Sequence, residues 1–253
     1  MKIFLSGFEG QNIDKWLEID PDLHLKWVLM SYAHIRGQKP SKINEIISKA
    51  DNVLVDSGAH TFQKGKEIEW EKYTHEFGQW IAEHDEPKII GYFEMDVDNM
   101  IGLDRVEELR QIMYGYTDKV IPVWHRSRGN EYFEKMCEEA GQHSGIVSFS
   151  IVADTLTIEE MLWMVKTAWE HNCKIHALGM TSKSTLNKIP FDYVDSSSWV
   201  QETIYGRVGK RDIRKVKQVE RTIARMASHE LWQRKQEYYF DKWKGVSPMG
   251  DED

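Results

Sequence analysis

Cysteine is nearly absent: the 253 residues hold two, Cys137 and Cys173, with no C-x-x-C or C-x-C neighbour. Such isolation excludes a cysteine-built metal centre and a disulfide-stapled scaffold, and it fits a reducing setting, so a cytoplasmic location is expected. Long apolar runs are missing as well. With a mean hydropathy of −0.57 and no apolar stretch near 18 residues, the sequence offers no membrane span. The run Ile3-Phe4-Leu5 is too short for a signal peptide and reads as a first strand. No G-x-G-x-x-G opens a helix, which removes the fingerprint of a dinucleotide fold, and no H-x-H or H-E-x-x-H spacing is found. Linkers, low-complexity tracts and repeats of 20 to 50 residues are lacking too, so one domain is the economical reading.

What remains is an ordinary globular composition, 41% hydrophobic and 29% charged, with a net charge of −8 that is unevenly spread. Residues 207–244 carry 12 Lys and Arg against 5 Asp and Glu, or +7, which leaves −15 for the rest. A helix is expected over about 211–241. Its basic residues, among them Lys210, Arg211, Arg214 and Lys215, suit a phosphate backbone, the largest sequence-independent term in nucleic-acid affinity. The plainer reading is a solvated amphipathic helix that buries Ile213, Val216, Val219 and Ile223. Residues 1–206 then form the main body, and 207–253 a basic helix with an acidic tail packed on it.

Short β-type apolar runs alternate with longer helix-like stretches. Eight candidate strands start near residues 2, 26, 52, 88, 119, 145, 174 and 193, several of them continuous enough for a sheet buried on both faces. Helices are expected near 11–19, 41–50, 67–84, 98–115, 130–140, 157–172 and 182–188. Ser41 and Thr157, each followed three or so residues on by an acid, read as caps. Eight strands alternating with helices over about 250 residues is the arithmetic of an α/β (β/α)8 TIM barrel.

In such a barrel the chemistry lies at the C-terminal ends of the strands. Those ends are polar here: Asp56-Ser57-Gly58-Ala59-His60, Glu94-Met95-Asp96, Trp124-His125, His176 to Gly179, and Asp195-Ser196-Ser197. Asp56, Asp96 and Asp195 should converge on one mouth. Converging carboxylates repel, so without a neutralising cation one should keep its proton and serve as an acid while another serves as nucleophile or base. A single such aspartate is as readily a helix cap. His60, His125 and His176 also fall at strand ends, which allows a competing metal-hydrolase reading. Trp124, Trp199, Phe62 and Tyr92 are candidates for stacking on a planar substrate or, more plainly, for packing.

Two segments, Asp56-Ser-Gly-Ala-His-Thr-Phe62 and Phe191-Asp-Tyr-Val-Asp-Ser-Ser-Ser-Trp199, resemble motifs of the tRNA-guanine transglycosylase superfamily. With Met95-Asp96-Val97 and Leu178-Gly179 between them, the resemblance runs from about Val53 to Trp199. It implies a pentosyl-transferring enzyme that exchanges guanine for a 7-deazaguanine base such as preQ0 through a covalent aspartyl-sugar ester, with no cofactor and no metal. By the same resemblance Asp195, with Asp192 as a nearby rival, is the nucleophile and Asp56 the general acid and base. Asp96, Ser57, Gly58, His60, His125, Leu178 and Gly179 would form the base pocket, and Lys210, Arg211, Arg214 and Lys215 would meet the polymer. No cysteine follows Trp199, so the zinc site of the tRNA enzymes is missing. The resemblance therefore leans to the compact, phage-type DNA-guanine transglycosylases, with DNA rather than tRNA as partner and room for a homodimer. The tRNA enzyme, a metal-dependent barrel hydrolase and a catalytically silent binding barrel are the alternatives.

Overall fold

The computed structural model describes residues 1–62, 68–150, 155–204, 207–208, 211–212 and 217–247, without the side chains of 202–204, 207–208, 211–212 and 218. Strands and helices alternate as expected: β1 (Lys2–Ser6), α1 (Ile13–Ile19), β2 (Leu25–Ser31), α2 (Tyr32–Ile35), α3 (Pro40–Lys49), β3 (Ala50–Asp56), α4 (Trp70–His84), β4 (Ile89–Phe93), α5 (Asp98–Ile101) and α6 (Leu103–Tyr114). There follow β5 (Val120–Ile121), β6 (Val123–Trp124), α7 (Asn130–Gly141), β7 (Ile146–Ser150), α8 (Ile158–Glu170), β8 (Lys174–Leu178), α9 (Lys183–Leu186), β9 (Tyr193–Ser196), α10 (Ser198–Ile204), β10 (Arg207–Val208), β11 (Arg211–Asp212) and α11 (Gln218–Trp243).

Nine strands form one parallel sheet in the order β5-β4-β3-β2-β1-β9-β8-β7-β6. The two ends of that order, β5 and β6, are consecutive in the chain and separated by Pro122 alone. They are halves of the fifth expected strand, so the sheet meets itself as a (β/α)8 TIM barrel. Proline has no N–H and cannot carry a ladder through. Accordingly β5 pairs with β4, and β6 pairs with β7. Side-chain bonding supplements the backbone at this point: a Glu94 carboxylate oxygen accepts the Val123 N–H at 2.8 Å.

Strand alternation sorts the core into two layers. Phe4, Trp27, Leu29, Leu54, Phe93, Ile121, Val123, Ile146 and Tyr193 cluster inside the barrel. The intervening residues, such as Ile3, Leu5, Val28, Met30, Val53 and Val55, pack beneath the helices. Helix α11 reaches the N-terminal end of the barrel, where Phe240 lies 5.4 Å from the Trp27 ring and Gln236 donates to the Ile3 carbonyl at 2.7 Å.

Four expectations are corrected in detail. The basic helix begins at Gln218, not 211, after the antiparallel pair β10 and β11. Val219 and Ile223, expected to be buried on it, are 62% and 51% exposed. The side chains that α11 does bury include Thr222, His229 and Gln236, one every seven residues, so its packing stripe is largely polar. Gly102, at φ 85°, divides the expected helix 98–115 into α5 and α6. Ser41 sits inside α3, which starts with Pro40 in its first turn. Thr157, by contrast, makes the full capping box with Glu160.

Candidate active site

The alternation that points Phe4, Leu29, Leu54, Val123, Ile146 and Tyr193 into the barrel also turns Ser6, Ser31, Asp56, His125, Ser150 and Asp195 inward at the strands' C-terminal ends. The mouth is therefore floored by small hydroxyls and ringed by carboxylates. Asp56, at the end of β3, is buried enough to raise its carboxyl to about 6. The Gly58 N–H bond opposes the rise, and the charges of Asp96 and Glu9 add to it. Gly58 is required there: its φ is +72°, and a Cβ would lie 2.4 Å from the Ala33 Cβ and 2.5 Å from the Ser31 hydroxyl.

Asp195, on β9, is raised further, to about 7, first by burial and then by the charge of Asp56, against the opposing N–H of Gly179. That N–H reaches Oδ1 at 2.7 Å, from a glycine with φ 70°. Behind Asp195 lies His176, fully buried, with Nε2 at 3.9 Å from Oδ1. Asp96, just past β4, accepts a hydrogen bond from His125 Nε2 at 2.5 Å. Burial works against a charged His125, but the hydrogen bond and charge of Asp96, then the charge of Asp98, outweigh it and raise the imidazole's pKa.

Two further residues belong to the mouth. Glu9, buried, and His34 stand three residues past β1 and β2, with Nδ1 of His34 at 3.5 Å from Glu9. Bonding to Glu9, against burial, raises the His34 pKa. Under the wall lies a buried ion network, in which Glu94 takes Arg110 at 3.0 Å and Arg128 at 3.1 Å, and Arg128 takes Asp98 at 2.8 Å. Such a network is held by mutual pairing, so removal of any one member would strand a buried charge.

The structure thus brings Asp56, Asp96, His125, Gly179 and Asp195 together at one end of the barrel, with half-buried Leu178 beside them. Ser57 turns its hydroxyl away, to the Glu94 carbonyl at 2.8 Å, and ties β3 to β4. His60 is exposed on a short 3-10 turn, Ala59–Phe62. Asp192 is at the far end of β9, where it accepts the Ile175 N–H at 3.0 Å; it is no rival to Asp195 in the mouth. The metal triad of His60, His125 and His176 is not assembled. The ligand-capable atoms that do lie together among the described residues are those of Asp96, Asp98 and His125, and there Asp98 is committed to Arg128 and Asp96 to His125. Trp124, Trp199 and Tyr92 pack behind the sheet, against Phe133, Phe8 and Phe77, rather than over the mouth. Lys210, Arg214 and Lys215 lie outside the described residues, as does the side chain of Arg211.

The fold and mouth define a TIM-barrel protein with a carboxylate-rich C-terminal face. No family model matches the chain, and no curated protein matches it. Among solved structures, a Coccidioides immitis protein described as a fructose-1,6-biphosphate aldolase is similar at TM-score 0.55 and 11% identity, over 93% of this chain and 90% of that one. Orotidine 5'-monophosphate decarboxylase from Methanocaldococcus jannaschii superposes at TM-score 0.43 and 15% identity, over 91% and 98%. The first likeness establishes the fold and nothing finer, and the second is too distant to add to it. These findings overturn the resemblance to guanine transglycosylases and the base-exchange activity taken from it: the short Asp-Ser-Gly and Asp-Ser-Ser-Ser segments are backed by no family match, and the solved structure that supports the fold is not a guanine transglycosylase. The tRNA and metal-hydrolase alternatives gain no support from them either. No described helix is long and apolar enough to cross a membrane.

Proposed function

We infer that the protein is an enzyme working by general acid–base catalysis at the C-terminal end of its barrel, with Asp195 as the acid and Asp56 as the base, on an uncharged or cationic polar substrate. One observation carries this reading: two largely buried carboxyls at the ends of β3 and β9 each accept a glycine N–H, and the charge of Asp56 bears on Asp195. Near neutral pH the higher of the two, at about 7, keeps its proton for much of the time, while the lower, at about 6, is mostly ionised. A pair separated in this way can deliver a proton and remove one in the same turnover.

The substrate's charge follows from the company these groups keep. Glu9, Asp56, Asp96 and Asp195 face His34 and His125, a balance that disfavours an anion and favours hydrogen-bond donors.

The test is a carboxyl 13C NMR titration of aspartate-labelled protein beside a thermal-shift screen of polar metabolites at pH 7. Two carboxyls should titrate near 7 and 6, and each should vanish in Asp195→Asn or Asp56→Asn. Compounds that stabilise the parent should be neutral or cationic and should lose their effect in both variants. Carboxyls that all titrate below about 4.5, or stabilisation by phosphate esters that survives both substitutions, would refute the assignment.

A further inference from the structure

His176 is fully buried inside the barrel, one strand away from Asp195, and no hydrogen-bond partner is found for its Nε2 among the described residues. An unpartnered buried nitrogen carries a desolvation cost that a merely space-filling residue would not incur. Its other nitrogen is spoken for. Nδ1 lies 3.3 Å from the Ser148 hydroxyl, and that hydroxyl is 3.1 Å from the His176 carbonyl oxygen. A serine hydroxyl has one hydrogen. Spent on the carbonyl, it leaves the serine oxygen as acceptor, so the ring proton belongs on Nδ1 and Nε2 presents a lone pair. Phe93 stands edge-on to the ring at 5.0 Å and leaves little freedom for a flip.

One carboxylate lies within 4 Å of that nitrogen among the described residues. Nε2 is 3.9 Å from Asp195 Oδ1, about 1 Å beyond hydrogen-bond reach, a gap too small for a bridging water and small enough for a modest side-chain rotation to close. A lone pair facing a carboxylate oxygen is mutually repulsive; facing a carboxylic acid it is an acceptor. We propose that His176 is a positioning residue for Asp195: Ser148 fixes its tautomer, and its Nε2 then accepts the Asp195 acid proton and holds that carboxyl in its protonated form. Oδ1 can carry this proton and still accept from Gly179.

The proposal rests on the acid–base reading of the mouth and gives Asp195 the part of acid in it. The charged group acting on Asp195 is Asp56; Phe93 and Ser148 bring no charge to His176. Burial alone pushes the imidazole down to about 3, so His176 stays neutral and acts as acceptor throughout.

The experiment is long-range 15N–1H NMR of histidine-labelled protein together with the aspartate carboxyl titration. His176 should show the Nδ1–H tautomer between pH 5 and 9, and its Nε2 resonance should move with the same midpoint as the Asp195 carboxyl. In Asp195→Asn that movement should disappear. Ser148→Ala should release the ring to the Nε2–H tautomer, which donates to the carboxylate and lowers the Asp195 midpoint by about one pH unit. An Nε2–H tautomer in the parent, or an Nε2 resonance that stays flat while Asp195 titrates near 7, overturns the inference. An Asp195 carboxyl titrating in the ordinary range instead removes the acid–base reading beneath it, and the two failures are told apart by the carboxyl signal alone.

Discussion

Asp195 and Asp56 couple protonation to folding, and the sign is opposite to that of a salt-bridged carboxylate. Their folded pKa values, about 7 and about 6, lie above the ordinary 3.8, so the folded chain retains protons that the unfolded chain has lost. Stability should therefore fall as pH rises from about 4 to about 7 on their account. For Asp195, a separation of about three pH units corresponds to on the order of 4 kcal/mol before relaxation. Asp195→Asn should thus be more stable than the parent at pH 8, by on the order of 2–4 kcal/mol, and nearly equal to it at pH 4. Urea unfolding at the two pH values checks this; a variant less stable at pH 8 would mean that the carboxylate is stabilised rather than strained by its site. Gly58 is a second residue-scale test. Gly58→Ala places a methyl 2.4 Å from Ala33 on a positive-φ backbone, and a loss of roughly 2–4 kcal/mol is expected, with the Asp56 carboxyl midpoint displaced as its turn shifts.

Among the elements, α8 and the β4–α6–α7 wall show what the sequence could and could not announce. The capping box at Thr157 was readable from Thr157 and Glu160 because both partners are local, and Thr157→Ala should cost about 1 kcal/mol in unfolding experiments. The Glu94–Arg110–Arg128 network was not readable, since its members lie 16 and 34 residues apart and only tertiary folding brings them together. Glu94→Gln, which leaves two buried guanidiniums facing an amide, should cost roughly 3–5 kcal/mol. Glu9 and His34 escaped for a different reason. A strand-end rule finds residues that continue the strand, whereas Glu9 lies within the 3-10 turn Phe8–Gly10 and His34 within α2, turns that carry a residue three positions past the strand back over the mouth. Helix α11 departs from the apolar periodicity because most of its buried residues, Thr222, Ser228, His229 and Gln236, are polar.

At the scale of the whole molecule, the barrel was legible because inward residues alternate with outward apolar neighbours, which makes several of the eight strands near-continuous apolar runs. The site was half legible. Asp56 and Asp195 are placed by topology alone, but what the mouth acts on depends on side-chain chemistry that two short motifs do not specify, and those motifs pointed to a family that the chain does not match. Phe240 closes the other end of the barrel against Trp27. Phe240→Ala should therefore cost about 2–3 kcal/mol and red-shift tryptophan emission as Trp27 is wetted; an unchanged spectrum would place the helix end off the barrel floor in solution.

Pro122 gives the ring a clasp. Where β5 is bonded to β4 and β6 to β7, no single strand segment is laddered on both sides, and the crossing is secured by Glu94 on Val123 and by Asp96 on His125. A circle bonded evenly all round has no edge from which to peel, whereas this one has a defined first opening, and it lies directly beneath the mouth. Amides at Ile121 and Val123 should then exchange faster than those of β1 and β2. A ligand that spans Asp96 and His125 would fasten the clasp from outside, so its grip should be felt first as a slower rate of unfolding.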